Sequence, residues 1–141
     1  MKYVVLVSHG EFAQGLKSSL AMFVGDKAEE VIVLGLNKDE TAGHLGQRFE
    51  KKLAEISESD SLILLADIVG GSPLTTVCNI LAEKERLQNV PILGGMNLPM
   101  ALNAVLLKDS LTGQSFVDAV LQEANAALQQ FRAVSEEEDD I

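Results

Sequence analysis

Four short runs with strand character punctuate the chain: KYVVLVS (2–8), EVIVLGL (30–36), SLILLAD (61–67) and NVPILGG (89–95). Each is nearly continuous in hydrophobicity, the pattern of a strand covered on both faces rather than one with a wet side. Between them the apolar residues return at helical spacing. Phe12, Leu16, Leu20 and Phe23 form one stripe, and Leu45, Phe49, Leu53 and Ile56 repeat it in the next connection. Further helices are predicted to begin near Pro73 and near Pro99, and a last one to carry Phe116, Val120, Ala124 and Leu128. Strand and helix in alternation, with strands too apolar to face water, predict an α/β fold. It is a doubly wound, mostly parallel sheet of order 2-1-3-4, with a possible further edge strand and helices on both faces.

A chain of 141 residues can bury a core without disulfides or metals. Residues 1–134 are expected to form a single domain, followed by an acidic tail over 135–141 in which Glu136, Glu137, Glu138, Asp139 and Asp140 supply half of the net charge of −10. That charge, with no basic cluster to offset it, argues against nucleic-acid binding. No segment approaches the run of about 18 apolar residues that crosses a bilayer, and Met1-Lys2 leads straight into a strand, so a cytoplasmic protein without direct membrane insertion is expected. Cys78 falls among apolar residues of a helix and reads as a buried structural thiol. Two distant histidines and one cysteine form no metal-ligand pattern, and no cofactor motif is present.

Parallel strands joined by right-handed crossovers bring their carboxyl ends to one edge, where ligands bind at the point of strand-order reversal. His9 ends the first strand and Asp67 the third. In the order 2-1-3-4 these strands are neighbours, and the two side chains are expected to meet. A carboxylate holding one imidazole nitrogen fixes the tautomer and leaves the other nitrogen's lone pair pointing outward as a nucleophile. If Asp67 holds Nδ1, then Nε2 is the one available. GGSP (70–73) resembles an anion cradle: Gly70 and Gly71 allow close backbone approach, Ser72 is placed to cap the helix, and Pro73 suits its first helical position. Exposed amides and a helix's positive end favour phosphate, and His9-Gly10-Glu11 sets a second helix start beside the first. Histidine, orienting carboxylate and cradle together predict a phosphohistidine site.

Plainer roles exist for each residue alone. Taken alone, His9 would be a satisfied structural histidine, Asp67 an Asx turn and Ser72 a helix cap only; their convergence on one predicted edge favours the phosphohistidine site. Glu11 reads as first-turn dipole compensation. The GGMNLPM segment (94–100) is a strand-helix turn whose glycines and Asn97 could also wall the crevice. His44, on a surface helix with no carboxylate evident nearby, reads as solvent-facing.

Three segments, SHG (8–10) with AQGLKSSLAMFVG running to Gly25, LILLADIVGGSP (62–73) and GGMNLPM (94–100), together resemble the IIA component of the mannose-family sugar phosphotransferase system. The resemblance implies that His9 is phosphorylated by the carrier HPr and passes the phosphoryl group to a IIB component, with Asp67 as its orienting partner. Ser72 and the amides of Gly70 and Gly71 would hold the phosphoryl oxygens. It also implies a homodimer, and association with the membrane IIC/IID complex only through IIB. Where members commonly carry a threonine and an aromatic residue after the aspartate, this chain has Ile68 and Val69. No Ala/Pro-rich linker or fused IIB domain follows, so a separate IIB chain is expected.

Competing readings start from the same strand-His-Gly. Histidine phosphatases place an arginine before the histidine, where Ser8 stands here, and need a late second histidine. Cobalt and sirohydrochlorin chelatases need further metal-facing ligands. The IIA-like phosphocarrier of dihydroxyacetone kinase systems typically opens with His-Ser rather than His9-Gly10 and would change the recipient. A non-catalytic regulatory module remains as an alternative of a different class. The transported sugar is not readable from a component that never touches it.

Overall fold

The computed structural model describes residues 1–133; the acidic tail expected over 135–141 lies outside the described residues. Four parallel strands, β1 (Lys2–His9), β2 (Val31–Leu36), β3 (Ser61–Ala66) and β4 (Ile92–Leu93), lie in the order β2-β1-β3-β4. The expected order is therefore the observed one. The connections are α1 (Phe12–Val24) with a short 3-10 turn (Gly25–Glu30), α2 (Ala42–Ala54), and α3 (Ser72–Glu83), and α4 (Leu98–Leu107) and α5 (Gly113–Ala126) follow β4.

The centre of the sheet explains its two-sided cover. Val4, Val5, Leu6 and Val7 of β1 are all inaccessible to solvent. Alternate side chains point to opposite faces, so Val4 and Leu6 join a core built with α1, α4 and α5, while Val5 and Val7 join one built with α2 and α3. Each such side chain is worth roughly 1.5–3 kcal/mol on burial, more than β-propensity differences contribute, so the sandwich rather than local preference fixes β1.

Three expectations are corrected. Of the first apolar stripe, Leu16 and Leu20 are buried beside Ala13, but Phe12 and Phe23 are exposed, because the helix rests on the sheet along the Ala13 line. The fourth strand shrinks from seven residues to Ile92–Leu93, since Pro91 has no N–H to give a ladder and the Gly94-Gly95 turn ends it. The Pro91 carbonyl still accepts from Leu64 N–H at 2.9 Å. Leu128 lies beyond the end of α5 and is exposed. Cys78 is half-buried on α3 against the α2/α3 core, and burial pushes its thiol pKa up, which keeps it protonated.

Candidate active site

β1 and β3 are adjacent, and the helices that follow them, α1 and α3, cover opposite faces. The crevice between the two helix starts contains His9 and Asp67. Asp67 is aligned by its own N–H, which donates to the Val7 carbonyl at 3.1 Å and carries the sheet ladder one residue past β3. Its Oδ2 accepts from His9 Nδ1–H at 2.8 Å and from the His9 backbone N–H at 2.9 Å, and its Oδ1 accepts from Ile68 N–H at 2.8 Å.

Burial alone would push the Asp67 carboxyl up; the hydrogen bonds from His9 and Ile68 outweigh it and hold the pKa below the usual range. The ionised carboxylate is an acceptor only, so Nδ1 carries the proton and Nε2 presents a lone pair. The imidazole is 46% exposed and the carboxylate 17%, a shallow site with its orienting group underneath.

Gly71 lies against the ring. A Cβ built on it would sit 2.9 Å from His9 Cε1, which places the start of α3 at the edge of the imidazole between its nitrogens. α3 has Gly71 at its N-cap with no side-chain cap bond, so its first amides have no acceptor from that residue. Gly70 adopts a φ of +88°, which turns the chain into this position. Ser72 is not the cap expected of it; it occupies the first helical position, with Pro73 following. Glu11 stands at the N-cap position of α1 rather than in its first turn, and makes no side-chain cap bond.

The amide that Glu11 leaves is taken by Ser8, a residue that sequence reasoning passed over. Its fully buried Oγ accepts from Ala13 N–H at 2.8 Å, tying α1 to the end of β1. Asn97 is likewise structural, since its side chain accepts from Met100 N–H at 2.8 Å and its amide reaches the Ala124 carbonyl. Gly94, the first residue after β4, has another use: a Cβ on it would fall 2.2 Å from Val69 Cγ2, so the turn after β4 backs the loop after Asp67. Ile68 and Val69 are themselves exposed beside the site, as is Phe12.

His44 faces solvent as expected, but it is not without a carboxylate. Glu40 Oε2 accepts from His44 Nδ1 and from Arg48 Nε, the latter at 2.8 Å. The i, i+4, i+8 spacing of Glu40, His44 and Arg48 was visible in the sequence. His44 is not brought to His9 by any hydrogen bond among the described residues.

The chain matches the family model described as the PTS system fructose IIA component, EIIA-man, over residues 3–121. It belongs to this family. The matched span includes His9, Asp67 and the GGSP and NLPM segments. The fructose-specific EIIA component of Bacillus subtilis is 30% identical over 108 residues, 77% of this chain and 71% of that protein. The mannose-specific EIIAB component of Escherichia coli K12 is 26% identical over 106 residues, 75% of this chain but only 32% of its own length. Among solved structures, the PTS IIA protein associated with the fucose utilization operon of Streptococcus pneumoniae superposes with a TM-score of 0.74 at 27% identity, covering 92% of each chain. The mannose/sorbose-specific IIA subunit from Enterococcus faecalis gives a TM-score of 0.78 at 20% identity, covering 96% of this chain and 98% of that one, and shares the EIIA fold. No helix among the described residues of this EIIA chain is long and apolar enough to cross a membrane.

Proposed function

We propose that this EIIA chain is a phosphohistidine carrier of sugar uptake in which His9 accepts a phosphoryl group from phospho-HPr and passes it to a IIB component. The observation that carries the reading is the grip of one carboxylate oxygen on both N–H groups of His9, which leaves Nε2 basic and outward at the free N-terminus of α3.

In the accepting step the Nε2 lone pair forms the new N–P bond as the donor's N–P bond breaks in line. The Nδ1 proton stays on the Asp67 hydrogen bond, where the carboxylate offsets the positive charge gained by the ring. Such a transfer needs positioning and charge stabilisation more than acid-base help. Gly71 and the first amides of α3 supply the second of these to the phosphoryl oxygens. The return step is the same in reverse, with a histidine or other nucleophile of IIB as acceptor. Exposed Phe12, Ile68 and Val69 form an apolar rim that a partner covers while the phosphoryl group moves, excluding water from the N–P bond.

The test is intact-mass spectrometry after incubation with phosphoenolpyruvate, enzyme I and HPr, with HPr omitted as control and His9→Gln alongside. One acid-labile phosphoryl group that requires HPr and is lost in the variant supports the reading. No uptake by folded protein from demonstrably active HPr overturns it and favours a regulatory module.

A further inference from the structure

The turn that carries His9 rests on the edge strand, and an edge strand's end has a neighbour on one side only. Gly10 N–H donates to the Leu36 carbonyl at 2.7 Å, and the Gly10 carbonyl lies over Gly35, where a Cβ would come within 2.3 Å of its oxygen. The end of β2 is therefore the seat of the peptide that follows His9. Leu36 C=O faces β1, so Gly35 C=O faces the outer side, where no strand pairs with it.

An ion pair occupies that outer side. Arg48, from α2, donates through Nη2 to the Gly35 carbonyl at 2.5 Å and to Glu40 Oε1 at 2.8 Å, and through Nε to Glu40 Oε2 at 2.8 Å. Glu40 Oε1 also accepts from Asn37 N–H at 2.9 Å. The carboxylate is 95% covered, being only 5% exposed, and the planar fork of the guanidinium spans carboxylate and carbonyl together. Arg48 and Glu40 thus hold residues on either side of Leu36, the acceptor of the Gly10 amide.

We infer that Glu40 and Arg48 are positioning residues: a clamp on the end of β2 that fixes the seat of Gly10 and, through it, the placement of His9. The clamp is a statement about structure alone; its positioning role rests on the phosphoacceptor assignment of His9.

The test takes the full chain as wild type, Glu40→Gln and Arg48→Lys, the last replacing the fork with a single ammonium, and Lys52→Gln on the same helix as control. Amide hydrogen exchange at Gly10 reads the seat without any phosphoryl donor. Transfer from phospho-HPr reads His9. The expected result is Gly10 exchange faster by roughly tenfold or more in both clamp variants, with Leu65 at the sheet centre and the Lys52→Gln control unchanged. The transfer rate at saturating donor falls by roughly tenfold or more, as sub-ångström to ångström misplacement of a reacting group does, while the donor KM holds. Gly10 exchange equal to wild type in a folded variant overturns the clamp. Faster exchange with an unaltered transfer rate overturns the positioning role. A wild type that takes no phosphate refutes the phosphoacceptor assignment, and the positioning role with it, while Gly10 exchange still decides the clamp.

Discussion

Asp67 holds His9 through a single atom: Oδ2 accepts from the backbone N–H at 2.9 Å and from the ring Nδ1–H at 2.8 Å. Main chain and side chain of the histidine are thereby locked to each other, which sets χ angles as well as tautomer. Asparagine has one oxygen for the three donors that Asp67 serves: placed at the Oδ2 position it turns its NH2 against the Ile68 N–H, and flipped it turns its NH2 against both donors of His9. Asp67→Asn is expected to slow phosphoryl acceptance by about 10- to 100-fold, the range seen when an orienting partner of a functional histidine is removed. Nitrogen NMR of the ring is expected to show the Nε2-protonated tautomer gaining population. A variant that keeps both the wild-type rate and a single Nδ1–H tautomer sinks the orienting role.

Gly71 gives a cleaner probe, because its backbone is ordinary, with φ of −81° and ψ of 157°. Alanine is tolerated there conformationally, so the added methyl acts through space, first by its 2.9 Å approach to His9 Cε1 and then by its contacts at 3.3 and 3.4 Å with the Ile68 side chain. Gly71→Ala is expected to leave the unfolding midpoint nearly unchanged and to cut the acceptance rate by about tenfold or more, since ring displacement costs alignment. Gly10 contrasts with it: no atom lies within 4 Å of its Cβ position, but its φ is +56°, so Gly10→Ala is expected to lose about 1 kcal/mol of stability through backbone strain. Thermal unfolding and transfer rates on the two variants separate crowding from strain.

The parallel sheet was legible because continuous apolar runs separated by helix stripes of period 3.6 mark strands covered on both faces, and its order is the one common for this class. That order alone brought His9 beside Asp67, 58 residues apart. The exposure of Phe12 and Phe23 was not legible: spacing shows that residues share a helix face, whereas the rotation of that helix on the sheet is set by how closely Ala13 allows approach. Capping was misread for a related reason. Ser72 has the preferred residue type but lies inside α3, whereas the start of α1 is served by the Ser8 hydroxyl from within β1, whose reach to Ala13 N–H depends on the turn at Gly10. Gly35 did carry a signal, since a glycine inside an apolar strand marks close backbone approach; the partner in that approach needed the fold.

Val69 is 75% exposed beside the site, and its Cγ2 is seated in the space left by Gly94. Its exposed surface costs little to alter for folding, whereas a charge placed at the centre of a partner contact is desolvated on docking. Val69→Asp is expected to raise the KM for phospho-HPr by about tenfold with the rate at saturation within twofold and the unfolding midpoint unchanged. A fall in the saturated rate with KM constant would instead place Val69 in the chemistry, and an unchanged KM removes it from the docking surface.

Glu40 makes the acid behaviour of the β2 end specific. The hydrogen bond from Arg48 leads the causes that lower its pKa, against the opposing effect of burial, and with the Asn37 and His44 contacts it falls from 4.5 to about 2. A carboxyl with a depressed folded-state pKa contributes stability that is whole above its unfolded value and is lost as pH falls through its folded value. The contribution of Glu40 is therefore complete at neutral pH, begins to fade below 4.5 and is gone near 2. Glu40→Gln lacks it throughout, so the stability gap between wild type and variant is expected to be full at about pH 7 and clearly smaller at about pH 3. Urea unfolding at the two pH values measures the gap directly. A gap of equal size at both pH values would mean that the glutamine variant loses packing rather than charge, and that the ion pair does not hold the end of β2.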